Sequence, residues 1–262
     1  MTVTVELWRP PPADGPAPHG FTELVRALRQ SIADVGQRHA RAALASSLSV
    51  EDVVLTHAIV TAGAPIEVFF IDTGRLDPET LAVAAELRAR FGVELIVVRP
   101  HEQAVADYVA THGADAFYDS IALRQRCCTI RKVEPLERAL AGRDAWLTGQ
   151  RRAHGPERAR LAEHEFDAAR GIAKFNPLAS WSDAAVWHYA RQFDLPINAL
   201  YARGYASIGC APCSRAIRTA EDPRAGRWWW EDAASKECGL HVAPAPAADS
   251  AVAPATRLVS TP

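Results

Sequence analysis

Three short apolar runs, at residues 66–71, 93–98 and 145–148, constrain this chain more than any other feature. They are of strand length and rich in β-branched or aromatic residues, and helical periodicity separates them. The first lies between Pro65 and the turn sequence Asp72-Thr73-Gly74. Before it, Phe21, Leu24, Val25, Leu28, Ile32 and Val35 recur at helical spacing, followed by a small apolar run at 42–47 and an apolar helix over 51–60. After it come helices over 76–91, with Pro78 in the first turn, over 104–111 and over 123–139, then one over 183–193 capped by Ser182. Strands apolar on both sides, alternating with helices, imply an α/β fold whose parallel sheet is covered by helices on both faces. Ligands of such sheets bind beyond the carboxyl ends of the strands, where Ser46-Ser47 and 72–75 fall.

Composition narrows the function classes. Among 262 residues, 48% are hydrophobic and 23% charged, which is ordinary for a globular chain and excludes collagen, coiled-coil and disordered readings. With 29 basic and 31 acidic side chains the net charge is −2, so no chain-wide positive field points to nucleic acid or to an anionic membrane surface. Only Lys132, Lys174 and Lys236 are lysines; the other basic residues are arginines, so each arginine needs a local argument before it is assigned a role. The apolar stretch 53–71 is broken by His57, Gly63, Pro65 and Glu67, which suits a buried helix and strand better than a membrane span. Residues 1–12 show no basic start followed by an apolar run, and a cytoplasmic chain is expected. Five prolines within 9–19 and a Pro/Ala/Ser-rich stretch at 242–262 are expected to be flexible ends. From residue 196 onward the pattern turns irregular, and no internal repeat is seen.

Cytoplasmic thiols stay reduced, so closely spaced cysteines there are more often metal ligands or catalysts than disulfides. Cys127 and Cys128 are adjacent, and Cys210 and Cys213 form a Cys-Ala-Pro-Cys turn. Side chains of neighbouring residues diverge, which strains both against one small tetrahedral ion, whereas a [4Fe–4S] cubane offers separate irons. A structural zinc and a thioredoxin-like redox pair remain the other readings. Lys132 follows Cys128 by four residues, which on a helix places its ammonium on the side of the cysteines. Cys238, in Glu237-Cys238-Gly239-Leu240-His241, stands apart as the fifth thiol; it is either a reactive nucleophile in a cationic setting or an ordinary terminal cysteine.

Several segments together resemble one family. They include Ser46-Ser47-Leu48 with Glu51-Asp52, Asp72-Thr73-Gly74-Arg75, Cys127-Cys128-Thr129-Ile130-Arg131-Lys132, Thr148-Gly149-Gln150-Arg151-Arg152, and Ser207-Ile208-Gly209-Cys210. Further on stand Ala225-Gly226-Arg227-Trp228-Trp229-Trp230 and Glu237-Cys238-Gly239-Leu240-His241. Over roughly residues 20–241 the chain resembles the PAPS/APS reductase family, and within it the assimilatory, thioredoxin-dependent branch that uses adenylylsulfate (APS). The branch using the 3′-phosphorylated substrate (PAPS) generally lacks the cluster cysteines, and all four are present here.

The resemblance implies a PP-loop-like, adenine nucleotide hydrolase-like sheet and a mobile carboxy-terminal segment that carries the catalytic cysteine. It implies a division into a flexible 1–19, a sulfonucleotide-binding α/β domain with an iron–sulfur site over 20–215, the catalytic segment 216–242, and a disordered tail 243–262. It implies reduction of APS to sulfite and AMP through an S-sulfocysteine on Cys238, resolved by thioredoxin, with homo-oligomers as a further family trait. Carried over by position, Cys127, Cys128, Cys210 and Cys213 are cluster ligands, and Lys132 lies between cluster and substrate. Arg224 and Arg227 match the arginines that hold the sulfate-bearing end, where planar guanidinium groups suit oxyanions. Ser46 and Ser47 match a degenerate phosphate loop without the glycine and lysine of the parent form, and Arg75, Arg151, Arg152 and His241 are further substrate-binding candidates. Three consecutive tryptophans cannot all face one core, so at least one of Trp228–Trp230 packs the final segment onto the main domain or meets thioredoxin. The other readings are a PAPS reductase and a non-catalytic iron–sulfur or zinc module.

Overall fold

The computed structural model describes residues 6–155 and 158–231; Cys238, His241 and the rest of 232–262 lie outside the described residues. Six strands form one sheet in the order β3-β2-β1-β4-β6-β5. They are β1 (Ala42–Ser46), β2 (Glu67–Ile71), β3 (Leu95–Val98), β4 (Ala145–Leu147), β5 (His164–Asp167) and β6 (Ile172–Phe175). β1 to β4 run parallel, as expected from their apolar composition; β6, not expected as a strand, continues them in parallel, while β5 pairs antiparallel with β6 at the edge. The β5–β6 hairpin has no clear sequence signature because its strands are four residues long and β5 alternates only between exposed and half-buried positions. Its turn closes through Gly171, at φ 68°, whose amide donates to Asp167 O at 2.7 Å.

Helices cover both faces because alternate strand residues point to opposite sides. On one face, Ala42, Leu44, Val68 and Phe70 pack in a single core with α1 (Phe21–Arg38), α2 (Val50–Ala62), α3 (Pro78–Phe91) and α7 (Asp183–Gln192). On the other, Ala43, Phe69 and Trp146 meet Leu136 and Leu140 of α6 (Glu134–Leu140). α2 is buried from Val50 to Ile59 with almost no amphipathic bias, so its polar residues must find partners inside. Thr56 Oγ1 donates to Asp52 O at 2.7 Å, and His57 Nδ1 lies 2.9 Å from Tyr189 Oη. No helix among the described residues is long and apolar enough to cross a membrane.

The single helix expected over 123–139 is instead α5 (Ile121–Cys128), a π turn (Thr129–Val133) and α6. Pro135 explains the break, since it has no N–H for the carbonyl of Arg131 and its ring crowds that carbonyl. The backbone opens by one residue, and Glu134 N–H bonds to Thr129 O. Lys132 therefore sits on a widened turn rather than one regular turn beyond Cys128. The proline-rich stretch near the N-terminus is partly docked: Leu7 pairs with Arg218, Trp8 N–H donates to Ile217 O at 2.9 Å, and Arg191 Nη1 donates to Pro12 O at 2.9 Å. The indole of Trp8 also packs on Tyr201 at 6.2 Å.

Candidate active site

The strand order reverses between β1 and β4, and a cleft of about 310 Å³ opens at their carboxyl ends. Its floor is the loop Ser46–Ser49, the turn around Thr73, and Thr148–Gln150; Lys132, Arg224 and Arg227 stand in its walls. The loop is held by its own polar atoms. Ser46 Oγ accepts from Leu48 N–H at 3.1 Å, and Leu48 adopts a left-handed φ of 62°. Ser47 donates both N–H and hydroxyl to Asp52 Oδ2, each at 2.6 Å, and Val50 N–H donates to Tyr201 Oη at 3.1 Å. Ser47, expected to receive an anion, thus already serves an internal carboxylate, and an incoming phosphate competes with Asp52 for it.

Two adjacent carboxylates at the start of α2 are driven apart by their surroundings. Burial alone would raise Glu51, but the hydrogen bond from His154 at 3.0 Å, the charge of His154 and then Arg151 bring it down to about 2. Asp52 is pushed up to about 6, by burial first and then by the Glu51 charge, against the bonds from Ser47. Gly149 makes this arrangement fit, since a Cβ there would overlap Asp52 Oδ1 and Glu51 Cβ.

Arg151 lines the cleft but spends its guanidinium on structure. It donates to Glu51 Oε1 at 2.7 and 3.1 Å, to Asp183 Oδ1 at 2.5 Å and to Trp181 O at 3.1 Å. Arg152 does not line the cleft; it is exposed and donates to Leu161 O at 2.9 Å. Arg75 is also placed elsewhere, ion-paired to Asp115 at 3.0 Å and stacked over Phe117 at 5.0 Å beside the cysteines. Neither Arg75 nor Arg152 joins the cleft, because each lies past the turn that its strand end makes and is drawn to an acceptor outside the cleft. Arg227 is inside, 7% exposed; Nη1 donates to Ile208 O at 3.0 Å, and its plane fills the space where Gly209 has no side chain. Arg224 lies beside it in the same wall. Glu51, Asp52, Gln150, His154 and Arg158 also line the cleft and were not singled out as site residues from sequence. Glu51 and Asp52 alone were signalled, as polar residues at the head of an otherwise apolar helix.

Cys127, Cys128, Cys210 and Cys213 converge on one small pocket of about 10 Å³ bordering the cleft, and Lys132 lines both spaces. All four are free thiols. Thr73 Oγ1 lies 3.2 Å from Cys210 Sγ. Burial would raise the Cys210 thiol, yet Lys132, the Thr73 bond, Arg227 and Arg131 bring it below the usual thiol range, whereas burial and the neighbouring Cys210 push Cys213 up to about 12. Among the described residues no group of three or more His, Cys, Asp or Glu side chains is disposed to hold one metal ion. Trp228 packs against the thiols, and its Nε1 is buried with no hydrogen-bond partner. Four thiols, bordering cations and an orphaned donor make a donor set that fits a polynuclear anionic group with acceptor sulfurs.

The strip leading toward Cys238 is anchored on this pocket. Trp228, 1% exposed and at φ 41°, lies between the guanidinium groups of Arg124 at 4.7 Å and Arg227 at 4.9 Å. Arg124, fully buried on α5, holds Glu231 through two bonds of 2.8 and 2.9 Å. Trp230 packs edge-on against Tyr118 at 4.4 Å, and Trp229 is 48% exposed.

A mostly parallel sheet with a cation-walled cleft at its switch point, bordered by a four-thiol pocket, defines the class as an α/β protein with a ligand cleft beside four cysteines. Residues 41–216 match the model of the phosphoadenosine phosphosulfate reductase domain, and the chain belongs to that family. It is 56% identical to the adenosine 5'-phosphosulfate reductase of Burkholderia cepacia over 83% of this chain and 87% of that one. It is 44% identical to the enzyme of the same name from Neisseria meningitidis serogroup A, over 90% of this chain and 97% of the relative. The fold is shared with a phosphoadenylyl-sulfate reductase from Candida auris solved as a phosphate complex, with TM-score 0.60 and 24% identity over 77% of this chain and 98% of that one. It is also shared with FMN adenylyltransferase from Candida glabrata in complex with FAD and inorganic pyrophosphate, at TM-score 0.54 and 15% identity, covering 74% and 65% of the two chains.

Proposed function

We propose that this protein reduces adenylylsulfate to sulfite and AMP in assimilatory sulfate reduction in the cytoplasm, with Cys238 as nucleophile and thioredoxin as reductant. The observation that carries this reading is Lys132 lining both the cleft and the four-thiol pocket, with Arg224 and Arg227 in the cleft wall. The relatives named as APS reductases support the substrate.

In the first step the Cys238 thiolate attacks the sulfate sulfur; the S–Sγ bond forms, the bond from sulfur to the bridging oxygen breaks, and AMP leaves with that electron pair. Lys132, Arg224 and Arg227 place positive charge where the sulfate and the departing phosphate oxygen meet. In the second step a thiolate of thioredoxin attacks Cys238 Sγ, sulfite leaves, and the second thioredoxin thiol releases Cys238. Two protons and two electrons come from the dithiol, which ends as a disulfide. Cys127, Cys128, Cys210 and Cys213 would hold a [4Fe–4S] cluster. Bound there, it would supply structural cross-linking of α5 to the 210–213 turn and an electrostatic neighbour to Lys132.

The test is incubation with sulfur-labelled APS without thioredoxin, followed by mass analysis of the Cys238 peptide. An S-sulfonate there, released as sulfite by thioredoxin and absent from Cys238→Ser, is the expected result. No adduct with APS or with PAPS would replace this reading with that of a non-catalytic cluster module.

A further inference from the structure

Exposed large apolar side chains are few among the described residues; two of them meet at the last described strip, and a third stands three residues from one of these at the head of α5. Tyr118 is 41% exposed, Ile121 45% and Trp229 48%. The rings of Tyr118 and Trp229 are 6.5 Å apart, and Ile121 follows Tyr118 by three residues, at the head of α5. Trp230 backs the patch, edge-on to both Trp229 at 5.6 Å and Tyr118 at 4.4 Å.

Two costs at this spot bring no gain in folding. An exposed tryptophan forgoes the burial that its area would otherwise contribute. The left-handed φ of 41° at Trp228, a bulky residue, is a strained conformation. That conformation lets neighbouring indoles diverge, so that Trp228 is buried between two arginines while Trp229 is exposed. The Arg124–Glu231 pair fixes the strip two residues beyond Trp229. The patch is therefore rigid and apolar on its own account, which is what a pre-organised docking surface requires.

What docks there follows from the chain beyond it. Cys238 comes seven residues after Glu231, so it stays within about 25 Å of that anchor however the intervening residues run. Any protein that acts on Cys238 must place its reactive atoms in that radius, and the patch lies at its centre. We propose that Tyr118, Ile121 and Trp229 form the docking face for the dithiol protein that releases sulfite from the Cys238 S-sulfonate. The proposal rests on the reading above and adds the place of the encounter. The partner's chemistry is a cysteine pair set in an apolar surface: one thiolate displaces sulfite from Sγ, the second displaces Cys238, and the partner leaves oxidised.

The experiment compares Trp229→Ala and Ile121→Ser with the unaltered holoenzyme in three assays: adduct formation from labelled APS in a single turnover, sulfite release by dithiothreitol, and turnover with reduced thioredoxin. Both positions are exposed, so the fold is expected to survive, and thermal unfolding checks it. The expected result is unchanged adduct formation and dithiothreitol release, with KM for thioredoxin raised about tenfold in each variant. Unchanged thioredoxin kinetics overturns the proposal. So does a parallel fall in adduct formation, which would make the patch a seat for the chain's own last residues, or a change of oligomeric state by light scattering, which would make it a face between copies. Absence of adduct in the unaltered protein overturns the reading beneath the proposal and the proposal with it.

Discussion

Glu51 and Asp52 are neighbours at the start of α2, yet one is held near 2 and the other near 6, and the difference comes from who faces them. Glu51 accepts from Arg151 and His154, both cationic or able to be; Asp52 accepts neutral donors, from Ser47 and the backbone of Gly149, and bears the Glu51 charge. The two carboxylates act on stability in opposite directions. Glu51, depressed from 4.5, contributes stability fully present above about pH 4.5 and lost as pH falls toward 2. Asp52, raised from 3.8, favours the folded state while protonated and forfeits that contribution as pH rises through 6. Glu51→Gln removes the buried one of Arg151's two carboxylate partners, leaving it only the more exposed Asp183, and is expected to cost about 3 kcal/mol in urea unfolding at pH 7. The gap from the unaltered protein should shrink as the pH of the experiment is lowered from 5 toward 3. A gap independent of pH would mean that Glu51 is not the ionised partner. At this scale the sequence was legible for the cysteines, whose spacing has little other use, and illegible for the arginines. Arg75, Arg151 and Arg152 differ only in the acceptors that the fold brings to them, and these lie 40, 32 and 9 residues away for Asp115, Asp183 and Leu161.

At the scale of elements, the π turn and the strip 228–231 position the site. Arg131 on the π turn donates to Thr73 O at 2.8 Å, which ties the cysteine-bearing helix to the end of β2. Arg124 on α5 ties the same helix to Glu231. This pair is 0% and 4% exposed, so each member is costly without the other. Glu231→Gln alone is expected to destabilise the protein by about 3 kcal/mol. The double change of Arg124→Met with Glu231→Leu should recover most of that loss, measured by chemical unfolding of all the variants in one cycle. Failure of the double variant to recover would assign the pair a further duty toward Cys128. Periodicity located the central strands and the longer helices, merged α5 and α6 into one, and missed the π turn because it reports side-chain faces and not which backbone hydrogen bonds close. Pro135 was the available signal.

At the scale of the molecule, the N-terminal stretch docks on residues 217–219 and on Tyr201, far along the chain. Leu7 pairs with Arg218 and Trp8 packs on Tyr201, whose hydroxyl accepts from Val50 at the head of α2. The first described residues thereby support the Ser46–Ser49 loop, and Trp8 itself lines the cleft. Trp8→Ala is expected to lower stability by about 2 kcal/mol, since the indole is half-buried. Thermal unfolding measures this, and an unchanged midpoint would mean that the docking of residues 6–12 contributes nothing.

The amino-acid sequence by itself determined the layered α/β plan, the apolar strands of the central sheet and the pairing of two cysteine clips, because these depend on local composition and spacing. The tertiary structure alone decided which charged side chains reach the cleft. It drew Arg75 and Arg152 away to acceptors outside the cleft, turned Arg151 into a strut beneath the loop, and stacked Arg227 on Trp228 at the cleft wall. The reason is that a guanidinium goes to the nearest acceptor that can hold it, and in this fold most of those acceptors come from distant parts of the chain.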